Sequence, residues 1–143
     1  MKRILFICLG NICRSPMAEA VMKHLVAEQG TSAQWHIDSA GTSNWHEGER
    51  PHKGTLAKLA QYDISTDNMY SRPLVREDAD RFDVFVCMDA QNVEDARHIL
   101  GTNVPITTLL ANRDVPDPYY TGDFQETYDL CILGCKQILT NYL

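Results

Sequence analysis

The chain has 143 residues, a formal net charge of −6 and a pI near 5.2, with 44% hydrophobic residues. That is enough apolar material to bury one core, and it predicts one domain over residues 1–143. The acidic balance argues against a binder of nucleic-acid backbones, which needs stripes of Lys and Arg, and no apolar stretch is long enough to span a bilayer.

Lys2-Arg3-Ile4-Leu5-Phe6-Ile7-Cys8 is a continuous β-prone run, which predicts a central strand of a parallel sheet, buried on both faces. The run Ile4 to Leu9 is too short for the hydrophobic region of a secretion signal and meets Gly10-Asn11 instead of a cleavage site. A cytoplasmic chain is therefore expected, its five cysteines reduced and serving as core or chemistry. Ser15 followed by Pro16 predicts a helix capped by the serine, with Met17, Ala20, Val21, His24 and Leu25 on its inner face and Gly30 past its end.

Gln34 to Ser39 reads as a second strand, followed by a loop from Ala40 to Gly48 with Trp45 in its middle. A helix resumes after Pro51, with Leu56, Leu59 and Ala60 on one face. Asp63 to Arg81 is polar and without period. Asp83 to Met88 is a third strand ending at Asp89, and a helix over Gln91 to Leu100 stops at Gly101. Val104 to Leu110 is a fourth strand, and the last helix runs from Phe124 to Tyr142. Strands alternating with helices predict an α/β fold: an open parallel four-stranded sheet flanked by helices and joined by right-handed crossovers. The site of such a sheet lies beyond the carboxyl ends of its strands.

One of those ends carries Cys8-Leu9-Gly10-Asn11-Ile12-Cys13-Arg14-Ser15-Pro16, a tight loop between the first strand and the first helix. Such a loop turns successive N–H groups towards one point and makes an anion nest. It lacks the Gly-Lys-Ser/Thr ending of an ATP-binding loop. It ends instead in Arg14, whose planar fork can hold two phosphate oxygens. The helix dipole, the N–H groups, Arg14 and the Ser15 hydroxyl all favour a thiolate on Cys8. Nucleophile and anion cradle in one turn point to displacement at phosphorus through a cysteinyl-phosphate, with no metal and no cofactor. The leaving group needs a proton, and Asp117, held extended by Pro118, is placed to give it. Asp117 also reads as an ordinary Asp-Pro turn, and Asp114 competes for the role on chemistry alone.

The loop, together with Asp38-Ser39-Ala40-Gly41-Thr42, Cys87-Met88-Asp89 and Asp117-Pro118-Tyr119-Tyr120, resembles the low-molecular-weight protein tyrosine phosphatases from end to end. The resemblance implies Cys8 as nucleophile, Arg14 as clamp on the transition state and Asp117 as acid, then base. It implies phosphate binding by Leu9, Gly10, Asn11, Ile12, Cys13, Arg14 and Ser15, with Asn11, Ser15 and Ser39 supporting the loop. Leu9, Ile12, Trp45 and Tyr119 would wall an aromatic ring, and Tyr119 and Tyr120 resemble positions that kinases phosphorylate in relatives. Cys13 would pair with Cys8 in a reversible disulfide, or simply fill a tight loop. The partners implied are phosphotyrosine proteins or small aryl phosphates, for a monomer or weak homodimer.

The chain departs from the family in one place. Relatives usually carry a Gly and then a His between Tyr62 and Arg72, where the His supports the loop asparagine; here Asp63 and Asn68 are the nearest matches. Cys87, Cys131 and Cys135 read as small hydrophobes, the last two on a stripe with Tyr128, Ile132, Ile138, Leu139 and Tyr142. His36, His46, His52 and His98 carry no pattern. Arsenate reductase shares the loop but needs two further cysteines placed as a relay. Protein arginine phosphatases resemble it but carry Thr where this chain has Ile12. A non-catalytic anion-binding or redox-sensing module would not need Asp117.

Overall fold

A computed structural model describes residues 1–141. Strand β1 (Lys2–Cys8) lies between β2 (Trp35–Gly41) and β3 (Val84–Cys87), and β4 (Ile106–Thr108) completes a sheet of order β2-β1-β3-β4 in which every pairing is parallel. The β1 run is apolar at consecutive positions because both of its faces are covered. Ile4, Phe6 and Cys8 join the core under α1 (Arg14–Glu28) and α5 (Phe124–Asn141), while Leu5 and Ile7 pack with Phe85, Ala96 and Leu100 under α3 (Ala90–Leu100). Two further helices, α2 (Lys53–Gln61) and the one-turn α4 (Pro118–Thr121), flank the end of the sheet where the strands finish.

Several boundaries differ from the sequence reading, each for a physical reason. β2 runs on through Ala40 and Gly41 because Gly41 pairs with Cys8 on one side and bridges to Pro73 on the other. β4 is confined to Ile106–Thr108, a short edge strand with only β3 to pair with. Helix α1 starts at Arg14 with Cys13 as its capping position, so Ser15 is not the cap. The serine hydroxyl turns back to Cys8 and Asn11 instead, and Pro16 is tolerated because first-turn N–H groups have no partner within the helix. The inner face of α1 includes Met22 and Val26, whereas His24 is half-buried and pairs with Glu28 at 3.5 Å. In α2 the buried residues are Thr55 and Leu59, and Ala60 faces solvent. The 63–81 segment is irregular except for a short turn at Arg76–Asp80 around the fully buried Asp78 carboxylate. Cys131, Cys135 and Leu139 lie buried on α5 and Tyr128 beside them, with Ile132 and Ile138 partly buried. Tyr142, expected on the same stripe, lies outside the described residues. Among the described residues no helix is long and apolar enough to cross a membrane.

Candidate active site

The loop from Cys8 to Arg14 leaves the carboxyl end of β1 and is pinned by its carbonyl groups. Cys8 and Leu9 carbonyls accept from the N–H groups of Thr42 (2.9 Å) and Ser43 (3.0 Å), and that of Ile12 from His52 N–H (2.8 Å). Gly10 and Cys13 carbonyls accept from the hydroxyls of Ser71 (3.1 Å) and Thr55 (3.2 Å). In a trans peptide the following N–H points the opposite way. Carbonyls held outward therefore turn the N–H groups of Leu9, Gly10, Asn11, Cys13 and Arg14 inward. Asn11 N–H reaches Cys8 Sγ at 3.3 Å, Ser15 N–H reaches it at 3.5 Å, and the Ser15 hydroxyl lies at 3.0 Å. The Cys8 sulfur is thus ringed by polar hydrogens at a helix N-terminus.

Asn11 has a left-handed backbone, φ 54°, stabilised through its carboxamide. Its Nδ2 donates to Ser15 Oγ (2.7 Å) and to Ser39 Oγ (3.0 Å), and its Oδ1 accepts from the backbone N–H of Arg72 (3.0 Å). Ser39 donates in turn to Glu19 (2.6 Å), which also takes Lys23 Nζ at 2.6 Å. Burial raises the pKa of Glu19, with Lys23 and the Ser39 bond working against it. Asn68 is exposed, so the support that a histidine was expected to supply comes from the Arg72 backbone.

Arg14 is buried beneath this cradle. Its Nη1 donates to Asp89 (2.6 Å) and to the Val115 carbonyl (3.0 Å), and its Nη2 lies 3.4 Å from Asp117 Oδ2. Burial opposes its charge, but Cys8, Asp89 and Asp117 outweigh that and hold the guanidinium above its ordinary pKa. Nε is buried without a partner. One edge of the fork is thus anchored by Asp89 and Val115, Nη2 reaches Asp117, and Nε is the one guanidinium nitrogen without a partner among the described residues. Asp89, two residues past the end of β3, caps α3 through Asn92 N–H (2.8 Å) while holding Arg14. The sequence reading gave it no role; its place at a strand's carboxyl end was the available signal.

Asp117 caps α4: Oδ1 accepts Tyr119 N–H at 3.1 Å, which leaves Oδ2 towards the cleft. Asp114 instead accepts Ala90 N–H at 3.1 Å, outside the cleft. The cleft, about 160 Å³, has Cys8 and Arg14 at its floor and Leu9, Ile12, Trp45 and Tyr119 among its walls. Asn11 and Ser15 do not line it; their side chains work behind the loop. Trp45 and Tyr119 are 69% and 54% exposed, forming an open aromatic rim. His46, which carried no sequence pattern, also lines the cleft; its Nδ1 is 2.9 Å from Glu49 and its ring lies beside that of Tyr119.

All five cysteines are free and buried. Burial, followed by the charges of Cys8 and Asp117, pushes the Cys13 thiol up to about 12. Burial pushes Cys87 and Cys131 to about 12 as well, and Cys135 well above the ordinary thiol range. Among the described residues no group of three or more His, Cys, Asp or Glu side chains is placed to hold a metal ion.

Comparison with known proteins agrees with this geometry. The family model described as "Low molecular weight phosphotyrosine protein phosphatase" matches residues 3–142. The low molecular weight protein-tyrosine-phosphatase YfkJ of Bacillus subtilis is 44% identical, over 99% of this chain and 96% of its own length. The YfkJ crystal structure superposes with a TM-score of 0.94 at 42% identity, over 99% of this chain and 94% of that one. A Drosophila arginine phosphatase structure has a TM-score of 0.89 at 31% identity, covering 99% of this chain and 98% of that one.

Proposed function

The chain belongs to the low molecular weight phosphotyrosine protein phosphatase family, and from that premise we propose that Cys8, Arg14 and Asp117 carry the hydrolysis of phosphotyrosine monoesters by two displacements at phosphorus. The observation that carries the assignment is the Cys8 sulfur ringed by donors, with Arg14 and Asp117 lining the same cleft.

In the first step Cys8 Sγ attacks phosphorus, the bond from phosphorus to the phenolic oxygen breaks, and Asp117 Oδ2 delivers its proton to that oxygen. The inward N–H groups and the Arg14 guanidinium, whose Nη2 exchanges its contact with Asp117 for a phosphoryl oxygen, hold the equatorial oxygens, whose charge grows in the transition state. In the second step Asp117 takes a proton from water, the water oxygen attacks phosphorus, and the S–P bond breaks. Ser15 Oγ, at 3.0 Å, stabilises the departing thiolate. Leu9, Ile12, Trp45 and Tyr119 grip the aromatic ring. The substrates are phosphotyrosine proteins or small aryl phosphates, and the enzyme is taken as cytoplasmic and as a monomer or weak homodimer through its exposed tyrosines. Cys13 is assigned as the thiol that condenses with a Cys8 sulfenic acid, releasing water and closing a disulfide.

The test is hydrolysis of an aryl phosphate, with chelator present, by wild type and Cys8→Ser, with acid quench to trap phosphoenzyme. The expected result is chelator-resistant turnover, phosphate trapped on Cys8, and both lost in the variant. A fully reduced, folded wild type without turnover overturns the assignment in favour of a binding or redox module. The likeness to an arginine phosphatase supports a second reading, a phosphoguanidinium substrate. Ile12, larger and more apolar than the Thr of that branch, favours the aromatic ester, and paired phosphotyrosine and phosphoarginine peptides separate the two. Arsenate reduction is disfavoured because Cys87, Cys131 and Cys135 are sealed in the core, where no relay can carry a disulfide outward.

A further inference from the structure

Asn11 is the hinge of the phosphate loop, and a left-handed backbone at a non-glycine residue persists only where its surroundings hold it. Outside the loop and helix α1, two segments do the holding. Ser39, in the C-terminal half of β2, accepts from Nδ2, and the Ser71–Arg72 segment supplies both the N–H on Oδ1 and the hydroxyl on the Gly10 carbonyl. These two segments are joined by backbone bonds, from Gly41 N–H to the Arg72 carbonyl (2.9 Å) and from Leu74 N–H to the Gly41 carbonyl (2.7 Å), and are further cross-linked by one guanidinium. Arg72 Nε donates to Asp38 Oδ2 at 3.2 Å, next to Ser39, while Nη1 and Nη2 donate to the two oxygens of the buried Asp78 at 3.0 and 3.2 Å. Asp78 also accepts Val75 N–H at 2.9 Å and so ties the far end of the segment. The fork matches two carboxylates at once, which an ammonium cannot do.

We propose that Arg72 is a positioning residue for the phosphatase reaction: its guanidinium, bridging Asp38 and Asp78, locks the side-chain end of a junction whose backbone is bridged at Gly41, and so fixes the two segments that grip Asn11 and thereby the aim of the loop N–H groups at Cys8 and the phosphoryl oxygens. The proposal rests on the assignment of Cys8 as nucleophile. Wild-type turnover that requires Cys8 tests that assignment separately, so its failure and failure of the Arg72 role are distinguishable.

The experiment compares Arg72→Ala, Arg72→Lys and Asp38→Asn with wild type, and with Arg3→Ala, which breaks an ion pair to Asp83 at the opposite end of β1. For each, kcat and KM on an aryl phosphate, inhibition by inorganic phosphate, the rate of Cys8 alkylation at fixed pH, and Tm are measured. Displacing the loop by a fraction of an ångström predicts a fall in kcat of roughly ten- to a hundredfold for Arg72→Ala. Weaker phosphate inhibition and slower Cys8 alkylation go with it. Arg72→Lys recovers only part of the loss, Asp38→Asn shows the same direction with smaller size, and Arg3→Ala changes Tm alone. Folded Arg72→Ala with kcat and phosphate inhibition within twofold of wild type overturns the proposal. So does an Arg3→Ala variant with the same kinetic loss at equal Tm. If Arg72→Ala does not fold, unchanged kinetics in Asp38→Asn are decisive against it.

Discussion

Arg14→Lys keeps the charge at the floor of the cleft and removes the fork. The structure sets the size of the effect. Nη1 already serves Asp89 at 2.6 Å and the Val115 carbonyl at 3.0 Å, behind the loop, so a phosphoryl group is left the unpaired Nε and Nη2, which gives up its 3.4 Å contact with Asp117. A lysine ammonium at this site is drawn to the Asp89 carboxylate, which otherwise lies largely buried without its partner. Both transition-state donors are then lost. At about 3 kcal/mol for each donor lost, the barrier rises by more than 5 kcal/mol, or roughly 10⁴-fold in kcat. The inward N–H groups still bind the ground-state phosphate, so KM and phosphate inhibition change far less. Steady-state kinetics on an aryl phosphate, with circular dichroism to confirm the fold, measure the split. A kcat within tenfold of wild type would refute the assignment of the Nε–Nη2 edge as the clamp, and a loss confined to KM would make Arg14 a ground-state binder only.

Asp117→Asn keeps the acceptor for Tyr119 N–H but cannot give a proton, so kcat should fall about 10²–10⁴-fold for phenols near the tyrosine pKa of about 10 and little for activated phenols; equal losses across a leaving-group series remove Asp117 from the acid role. Alkylation by iodoacetate at neutral pH should label Cys8 and spare Cys13, Cys87, Cys131 and Cys135, whose thiols stay protonated there. Peptide mass mapping reads this out, inorganic phosphate should protect Cys8, and prior labelling of any other cysteine counts against it. Because burial raises the Glu19 pKa, folding favours its protonated form, and its ionisation costs stability as pH rises from the unfolded carboxylate value towards the raised folded one. Glu19→Gln should flatten that stretch of the urea-derived stability curve, and an unchanged slope would show that Lys23 and Ser39 cancel the burial cost.

Much of the site was legible along the chain because it is local. Cys8 to Pro16 is contiguous, a continuous apolar run before it marks a strand covered on both faces, and Arg14 falls six positions after the cysteine. Asp117 was legible as a candidate from Pro118 and from the strand before it, though the chain alone could not separate it from Asp114. The hydrogen bond of Asp114 to Ala90 and of Asp117 to the α4 backbone separates them, because each carboxylate is aimed by the cap it makes. Ser15 differs from the cap its residue type predicts for a related reason: a sulfur and an asparagine within 3.0 Å compete for its hydroxyl once the loop closes.

What the sequence by itself determined is the succession of strands and helices along the chain, the residue types gathered in the loop and the sheet end at which it sits, since periodicity and turn chemistry act over a few residues. Only the tertiary structure decided which distant groups hold that loop in shape. Asp89 lies 75 positions from Arg14, and the Arg72 N–H lies 61 positions from Asn11. A backbone N–H leaves no mark in residue identity, and a carboxylate's partner is set by parallel strands that bring their carboxyl ends together, so neither contact exists until the sheet has assembled.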